Sequence, residues 1–246
     1  RREGLDHVVV GTQFEALGFV VLNDVRGAVV ARRRPSWATQ ITVVTTTVVL
    51  AVAASLVVTT DEALAELPIG ERLLAGFFQA GSAITTVGFS TYPSADLVAG
   101  SVFVIVILML IGASPSGTGG GLKTLNVAMN SATAWSTLRN HQRVRLLGRA
   151  LSIDQVRRSS ASLLLYLSTL IIGTFLLLIT QRGPSIDIVF EAVSAQGTVG
   201  WSRGVTSDLT GIGKVVVMAL MIVGRVGPLT FAFAVIRDQD HADSER

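Results

Sequence analysis

The sequence predicts an all-α membrane protein, on three observations. Half of the 246 residues are hydrophobic and only 15% are charged, where a soluble domain carries about a quarter. The apolar residues are gathered into uncharged runs, several of them reaching the roughly 20 residues of helix that cross a hydrocarbon core. One layout also occurs twice: an apolar span, a short helix, the string Thr-Val-Gly-aromatic-Ser, and a second apolar span. The two strings are Thr86-Val87-Gly88-Phe89-Ser90 and Thr198-Val199-Gly200-Trp201-Ser202.

Taken in order, residues 8–30 hold an apolar stretch interrupted by Gln13, Glu15 and Asp24, which reads as a span leaving the bilayer. Arg32-Arg33-Arg34-Pro35 follows, so residues 1–36 are expected to be the end of a preceding repeat and a cytoplasmic linker. The chain starts at Arg1 and reads as part of something longer. Trp37 to Thr60 is the first full span. Behind an acidic patch (Asp61, Glu62, Glu66, Glu71), Leu73 to Ile84 is too short to cross and is the first pore-helix candidate. The next span begins near Leu97, runs to Gly112, breaks at residues 113–121 and resumes from Leu122 to Leu138. Residues 37–138 thus form a pore repeat with a broken second helix.

A basic cytoplasmic linker, 139–158, carries Arg139, Arg143, Arg145, Arg149, Arg157 and Arg158. Ser159 to Thr180 is again a span, Gly183-Pro184 turns the chain, and Ile186 to Gln196 is the second short helix. Gly211 to Ile236 closes the last pore repeat (159–237), with Lys214 near its start and Arg225 in its middle, and 238–246 is a polar cytoplasmic tail. Arginine clusters precede the first span, separate the repeats and follow the last span. The other connections carry acidic residues and single arginines (Arg72, Arg182, Arg203). The positive-inside rule then puts the clusters in the cytoplasm and both strings outside. Trp37, Trp135, Trp201, Tyr92 and Tyr166 fall near the proposed interfaces and read as anchors.

This layout is that of a multi-pass ion pore whose first partner is the lipid bilayer. A dehydrated cation needs oxygen ligands in place of water, and rings of backbone carbonyls supply them without fixed charge. Non-helical backbone at membrane depth survives only where it lines a cavity or is buried in protein. Thr86, Val87, Gly88, Thr198, Val199 and Gly200 are therefore the predicted ion-binding filter, with Gly88 and Gly200 supplying dihedrals that a Cβ resists. The short helices would aim their partly negative C-terminal ends inward, which favours a cation. Glu191 reads first as a hydrogen-bonded brace of the neighbouring loop, and only second as an ion ligand.

The chain has no cysteine, which excludes a disulfide framework and a thiolate metal site, and its three scattered histidines, His7, His141 and His241, do not point to a zinc site. No catalytic set and no cofactor is expected; the metal is an alkali cation in transit. Arg225 in mid-span is costly and should face a pore or a partner. It is expected to form an electrostatic barrier beneath the filter, the alternative being a salt bridge to a neighbouring repeat. Gly117-Thr118-Gly119-Gly120-Gly121-Leu122-Lys123-Thr124 nearly matches a nucleotide P-loop, which defines the rival reading of a membrane-embedded nucleotide-hydrolysing component. Leu122 stands where that motif requires glycine, however, and the preceding segment is an apolar span. A flexible interruption that opens or closes the pore explains Gly117, Thr118, Gly119, Gly120 and Gly121 better, with Lys123 as its anchor. The basic linker reads as a solvated topogenic loop or a regulatory docking surface; without interleaved aromatics it does not point to nucleic acid.

Phe190 to Ser202 (FEAVSAQGTVGWS) followed by Gly224-Arg225-Val226-Gly227-Pro228-Leu229-Thr230 resembles the last repeat of the Trk/Ktr/HKT superfamily of potassium and sodium transporters. Phe77-Phe78-Gln79-Ala80 through Gly88-Phe89-Ser90, and Leu108 through Thr124, resemble the third repeat; Leu17-Gly18-Phe19 resembles the end of the second. The resemblance implies four non-identical membrane–pore–membrane repeats around one axis, of which this chain holds the third and fourth. It implies potassium uptake across the plasma membrane (the inner membrane in bacteria), with sodium possible, since filter glycines in this superfamily usually accompany potassium. It further implies a homodimer of the full-length subunit and a cytosolic nucleotide-binding regulatory subunit. The Gly-rich break becomes an intramembrane gating loop below the filter, with Arg225 projecting towards it. A non-conducting truncated fragment is the remaining alternative.

Overall fold

The computed structural model describes residues 19–60, 67–114, 119–141 and 143–227. Gln13, Glu15, the acidic residues 61, 62 and 66, Gly117, Thr118 and residues 228–246 lie outside the described residues. In chain order the helices are α1 (Phe19–Val30), α2 (Trp37–Thr60), α3 (Ile69–Thr85), α4 (Ala99–Ile111), α5 (Thr124–Leu138), α6 (Ile153–Thr180), α7 (Ser185–Gly197), α8 (Val205–Asp208) and α9 (Gly211–Val226). The described strands are the small hairpin β1 (Arg145–Leu146) and β2 (Arg149–Ala150).

Among the described residues two helices, α2 and α6, are long and apolar enough to cross a membrane, and 28% and 22% of their most apolar windows are buried. The remainder faces outward and is still apolar. On α2 the stripe Val44, Val48, Val52 and Leu56 is 43–55% exposed, at the four-residue spacing that lines one face of a helix. An exposed apolar face of this length is unstable in water and suited to lipid. Several hydroxyls of α2 are satisfied locally: Ser55 donates to the Ala51 carbonyl (2.8 Å) and Thr60 to that of Leu56 (2.8 Å), whereas the buried Thr42 and Thr46 hydroxyls find no partner among the described residues. Such back-bonding lets serine and threonine sit in an apolar helix without an orphaned donor.

The helices pack as two similar units, α2–α3–α4 and α6–α7–α9, joined by α4 against α7 and α5 against α6. The core lies where the short helices meet the spans. Ile105, Leu108 and Met109 of α4, Ala80, Ala83 and Ile84 of α3, and Phe190, Ala192 and Val193 of α7 are all 2% exposed or less. Met109 and Phe190 therefore seal the seam between the units, while α2 and α6 keep their outer faces for lipid.

Some boundaries differ from the sequence reading, for identifiable reasons. The helix expected from Ser159 starts at Ile153, inside the basic linker, because Ser152 and Gln155 form a reciprocal capping box (3.2 and 3.0 Å), which satisfies two orphaned amides. The closing helix is described to Val226, and Gly227 accepts the turn that ends it (φ 88°). The linker is also more structured than a solvated loop. Leu147 and Gly148 both take positive φ (47° and 78°), the geometry of a two-residue hairpin turn. The Trp37 indole donates to the Leu146 carbonyl (2.9 Å) and Arg149 lies over the Trp37 ring (5.7 Å). Trp37 thus holds the hairpin to the start of α2.

Candidate ion filter and the loop beneath it

Both short helices end in the same way. Thr86 and Thr198 each adopt φ 57°, ψ 33°, the left-handed region. The Thr86 amide donates to the Ala83 carbonyl (3.3 Å) and the Val87 amide to that of Ser82 (3.2 Å); Thr198 and Val199 repeat this on Ala195 (3.1 Å) and Ser194 (2.9 Å). This is the Schellman termination, which caps the last helical carbonyls and usually places glycine at the left-handed position. A β-branched residue there is an outlier, and such a position costs of order 1–3 kcal/mol. The chain carries that strain twice, at matching positions. Gly88 and Gly200 follow with φ 82° and 87°.

The two strings are neighbours. A Cβ added to Gly88 would run into the Val199 carbonyl oxygen, and the Trp201 indole N–H donates to the Gly88 carbonyl (2.7 Å). A Cβ on Gly200 would meet open space. The structure therefore brings Thr86, Val87, Gly88, Thr198, Val199 and Gly200 together, at the buried C-terminal ends of two helices whose partial negative charge is directed at the strings.

The described part of the Gly-rich break lies directly underneath. Gly120 donates its amide to Thr86 Oγ1 (3.2 Å), and a Cβ on Gly120 would collide with the Thr198 side chain. Lys123 Nζ donates to the Gly119 carbonyl (2.5 Å), as an anchor of the loop would. The Leu122 amide is taken by the Leu110 carbonyl (3.0 Å) and that of Thr124 by Ala113 (3.3 Å). A P-loop needs such amides free to cradle phosphate, so the motif match does not carry over into a phosphate nest. Arg225 lines a cavity of about 450 Å³ with Ser194, Thr198, Gly200, Met221 and Ile222. It also lies near enough to Lys123 for their charges to repel. Gly119 and Gly120 thus lie against Thr86 and Thr198, Lys123 holds Gly119, Gly121 packs on Gly112 and Met109, and Arg225 shares a cavity with Thr198 and Gly200, while Gly117 and Thr118 fall outside the described residues.

Above the helix ends, each string is braced by the residue seven positions before its threonine. Gln79 Nε2 donates to Ser90 Oγ (3.1 Å), and Gln79 Oε1 accepts from the Thr91 amide (3.4 Å). Glu191 accepts from Ser202 (2.8 Å) and Thr206 (2.5 Å), one hydroxyl on each carboxylate oxygen. Glu191 is a brace in this geometry, and both its oxygens are engaged. The Trp201 bond links the two strings directly, and just beyond them Ser94 Oγ donates to the Ser202 carbonyl (2.7 Å) and Arg203 to the Ser94 and Leu97 carbonyls. Arg203 is itself held by Asp187 (2.6 Å). Reading the sequence missed Gln79, Ser94, Asp187 and Arg203 as parts of the site. The available signal was that Gln79–Ser90 and Glu191–Ser202 keep one spacing relative to their Thr-Val-Gly strings.

A span-length helix, a helix buried at its C-terminal end, a glycine-containing string and a shorter apolar helix, in that order and twice over, define a pore-type membrane protein of re-entrant repeats. The model of the cation transport protein family TrkH matches residues 13–244, and the chain belongs to that family. It is an integral membrane protein of a transport family, not an enzyme. It is 34% identical over 176 residues to the Ktr system potassium uptake protein B of Vibrio alginolyticus, covering 72% of this chain and 38% of that one. It is 31% identical over 235 residues to the Ktr system potassium uptake protein D of Bacillus subtilis, covering 94% and 52%. The crystal structure of the potassium transporter TrkH from Vibrio parahaemolyticus superimposes with a TM-score of 0.77 at 17% identity, over 92% of this chain and 50% of that one, which shows a shared fold. The chain spans about half or less of the length of these relatives.

Proposed function

We propose that this chain supplies two adjacent sectors of a selectivity filter for monovalent cations, and that the whole protein takes up potassium across the plasma membrane. The observation that carries this reading is the duplicated Thr-Val-Gly conformation, side by side, at the ends of two helices aimed at it. Backbone oxygens held in that way can replace the hydration of an alkali ion, and sodium is the second ion they would admit. Relatives named as potassium uptake proteins support the choice of potassium.

The loop 113–121, anchored by Lys123 and faced by Arg225, acts in this reading as the gate below the filter. The contact of Gly120 with Thr86 supports it, since a shift of the loop must be felt at the filter's lower end. Arg225 adds an electrostatic barrier at the same level. The full-length subunit would form a homodimer and bind a cytosolic nucleotide-binding regulatory subunit, for which the basic linker with its hairpin offers a surface. No cofactor is needed.

Isotope flux through the full-length protein in proteoliposomes under a membrane potential tests the reading. Rubidium or potassium should enter in preference to sodium, and Arg225→Ala should raise flux through the closed state. Absence of cation flux, or an Arg225→Ala variant with unaltered flux, would overturn the filter or the barrier respectively.

A further inference from the structure

We propose that Trp201 is a specificity-determining positioning residue: its indole N–H pins the Gly88 carbonyl of the neighbouring string and so fixes the filter width that distinguishes potassium from sodium. The proposal rests on the filter reading above and assigns a cause to its selectivity.

The bond is well formed, 2.7 Å from Nε1 to the Gly88 oxygen, within the usual range for N–H···O contacts. Trp201 is only 5% exposed and belongs to the same core as Phe190 and Met109, so the ring cannot swing away without opening that core. The corresponding residue on the other string, Phe89, has no N–H and is 55% exposed. The clasp therefore runs one way, from the second string to the first. Arg203 and Ser94 reinforce it from the outer side, tying residues 202 and 203 to the segment 94–97.

Physical consequences follow from what a carbonyl does in a filter. Discrimination between alkali ions depends on how many oxygens face the ion, on their field strength, and on how far they can follow a smaller one. A carbonyl held by a buried indole can follow less. Releasing the Gly88 oxygen lets it approach a sodium ion, which lowers the cost of sodium more than that of potassium.

The test uses the full-length transporter in proteoliposomes, with KM for potassium and for sodium measured separately. Trp201→Phe keeps an aromatic ring and removes the donor. The sodium-to-potassium KM ratio should narrow about fivefold, the scale of one ordinary hydrogen bond, with the potassium maximal rate changing less. A second variant replaces Trp201 with benzothienylalanine, which keeps the indole outline and puts sulfur where the N–H was. It should reproduce the narrowing without loss of folding, and it decides the matter if Trp201→Phe fails to assemble. An unchanged ratio in the benzothienylalanine protein, or a parallel change in both KM values, overturns the proposal. If the wild-type protein passes neither ion, the filter reading itself fails, whatever Trp201 does.

Discussion

The two strings share a backbone and differ in what holds them. Thr86 and Thr198 have the same dihedrals, and Gly88 and Gly200 differ by a few degrees in φ. The first string is tied back to its own helix: Ser82 donates to the Phe89 carbonyl (2.5 Å) and Gln79 holds Ser90 and Thr91. In the second, the matching Ser194 hydroxyl is buried without a hydrogen-bond partner. Glu191 binds two hydroxyls instead, Trp201 reaches across to the first string, and Arg203 reaches the segment that follows it. A conserved conformation can therefore be reached by different supports. In a pore of non-identical repeats, those supports are where one sector can be tuned without the others.

The largest expected contrast is between the glycines. Gly88→Ala adds a Cβ at φ 82° and drives it into the Val199 carbonyl. Positive-φ strain and overpacking together should cost about 3 kcal/mol. Gly200→Ala carries the same backbone penalty into open space, so about 1–2 kcal/mol is expected. Denaturant or thermal unfolding of the full-length protein in detergent would measure both, and equal losses would contradict the adjacency of the strings.

Next come the braces. Glu191→Ala leaves the Ser202 and Thr206 hydroxyls without their acceptor and should cost about 1–3 kcal/mol, whereas Glu191→Gln keeps one acceptor oxygen and should cost less. Unfolding midpoints that fall equally for both variants would show that the carboxylate acts in some other way. The capping threonines give a smaller effect of opposite sign. Thr198→Gly relieves left-handed strain and removes a hydroxyl that has no hydrogen-bond partner, so stability should rise by about 1 kcal/mol. Thr86→Gly should gain less, because it forfeits the bond from Gly120. Both should impair cation selectivity, read as the potassium-to-sodium flux ratio, since strain retained at matched positions marks function over stability. Smallest of all is Phe89→Ala, on an exposed side chain, where a change within about 0.5 kcal/mol is expected in the same unfolding assay.

Much of this arrangement was legible in the chain. Apolar runs of spanning length, the duplicated strings and the arginine clusters specified helices, re-entrant loops and their order. The hidden parts were those that depend on distance in space. Nothing local announces that the Trp201 indole finds the Gly88 carbonyl, that Arg203 reaches Ser94, or that Trp37 receives a hairpin from the basic linker. The left-handed threonines were unreadable for another reason. Propensity argues against them, and the close approach of Gly119 to Thr86 and of Gly120 to Thr198 exists only in the folded chain. The early start of α6 was available in Ser152-Ile153-Asp154-Gln155, a capping signature that the surrounding arginines masked.

The claim on which the rest depends is that both strings border one cation path just above Gly119 and Gly120. In a cysteine-free background of the full-length transporter, Thr86→Cys and Thr198→Cys can be introduced singly and together, and cadmium titrated against potassium flux. Thiolates bind this soft cation well, and two facing one path should bind it jointly. The account predicts block of the double variant at a far lower cadmium concentration than either single variant requires. Equal sensitivity of the double and single variants, with flux intact in all three, would contradict it.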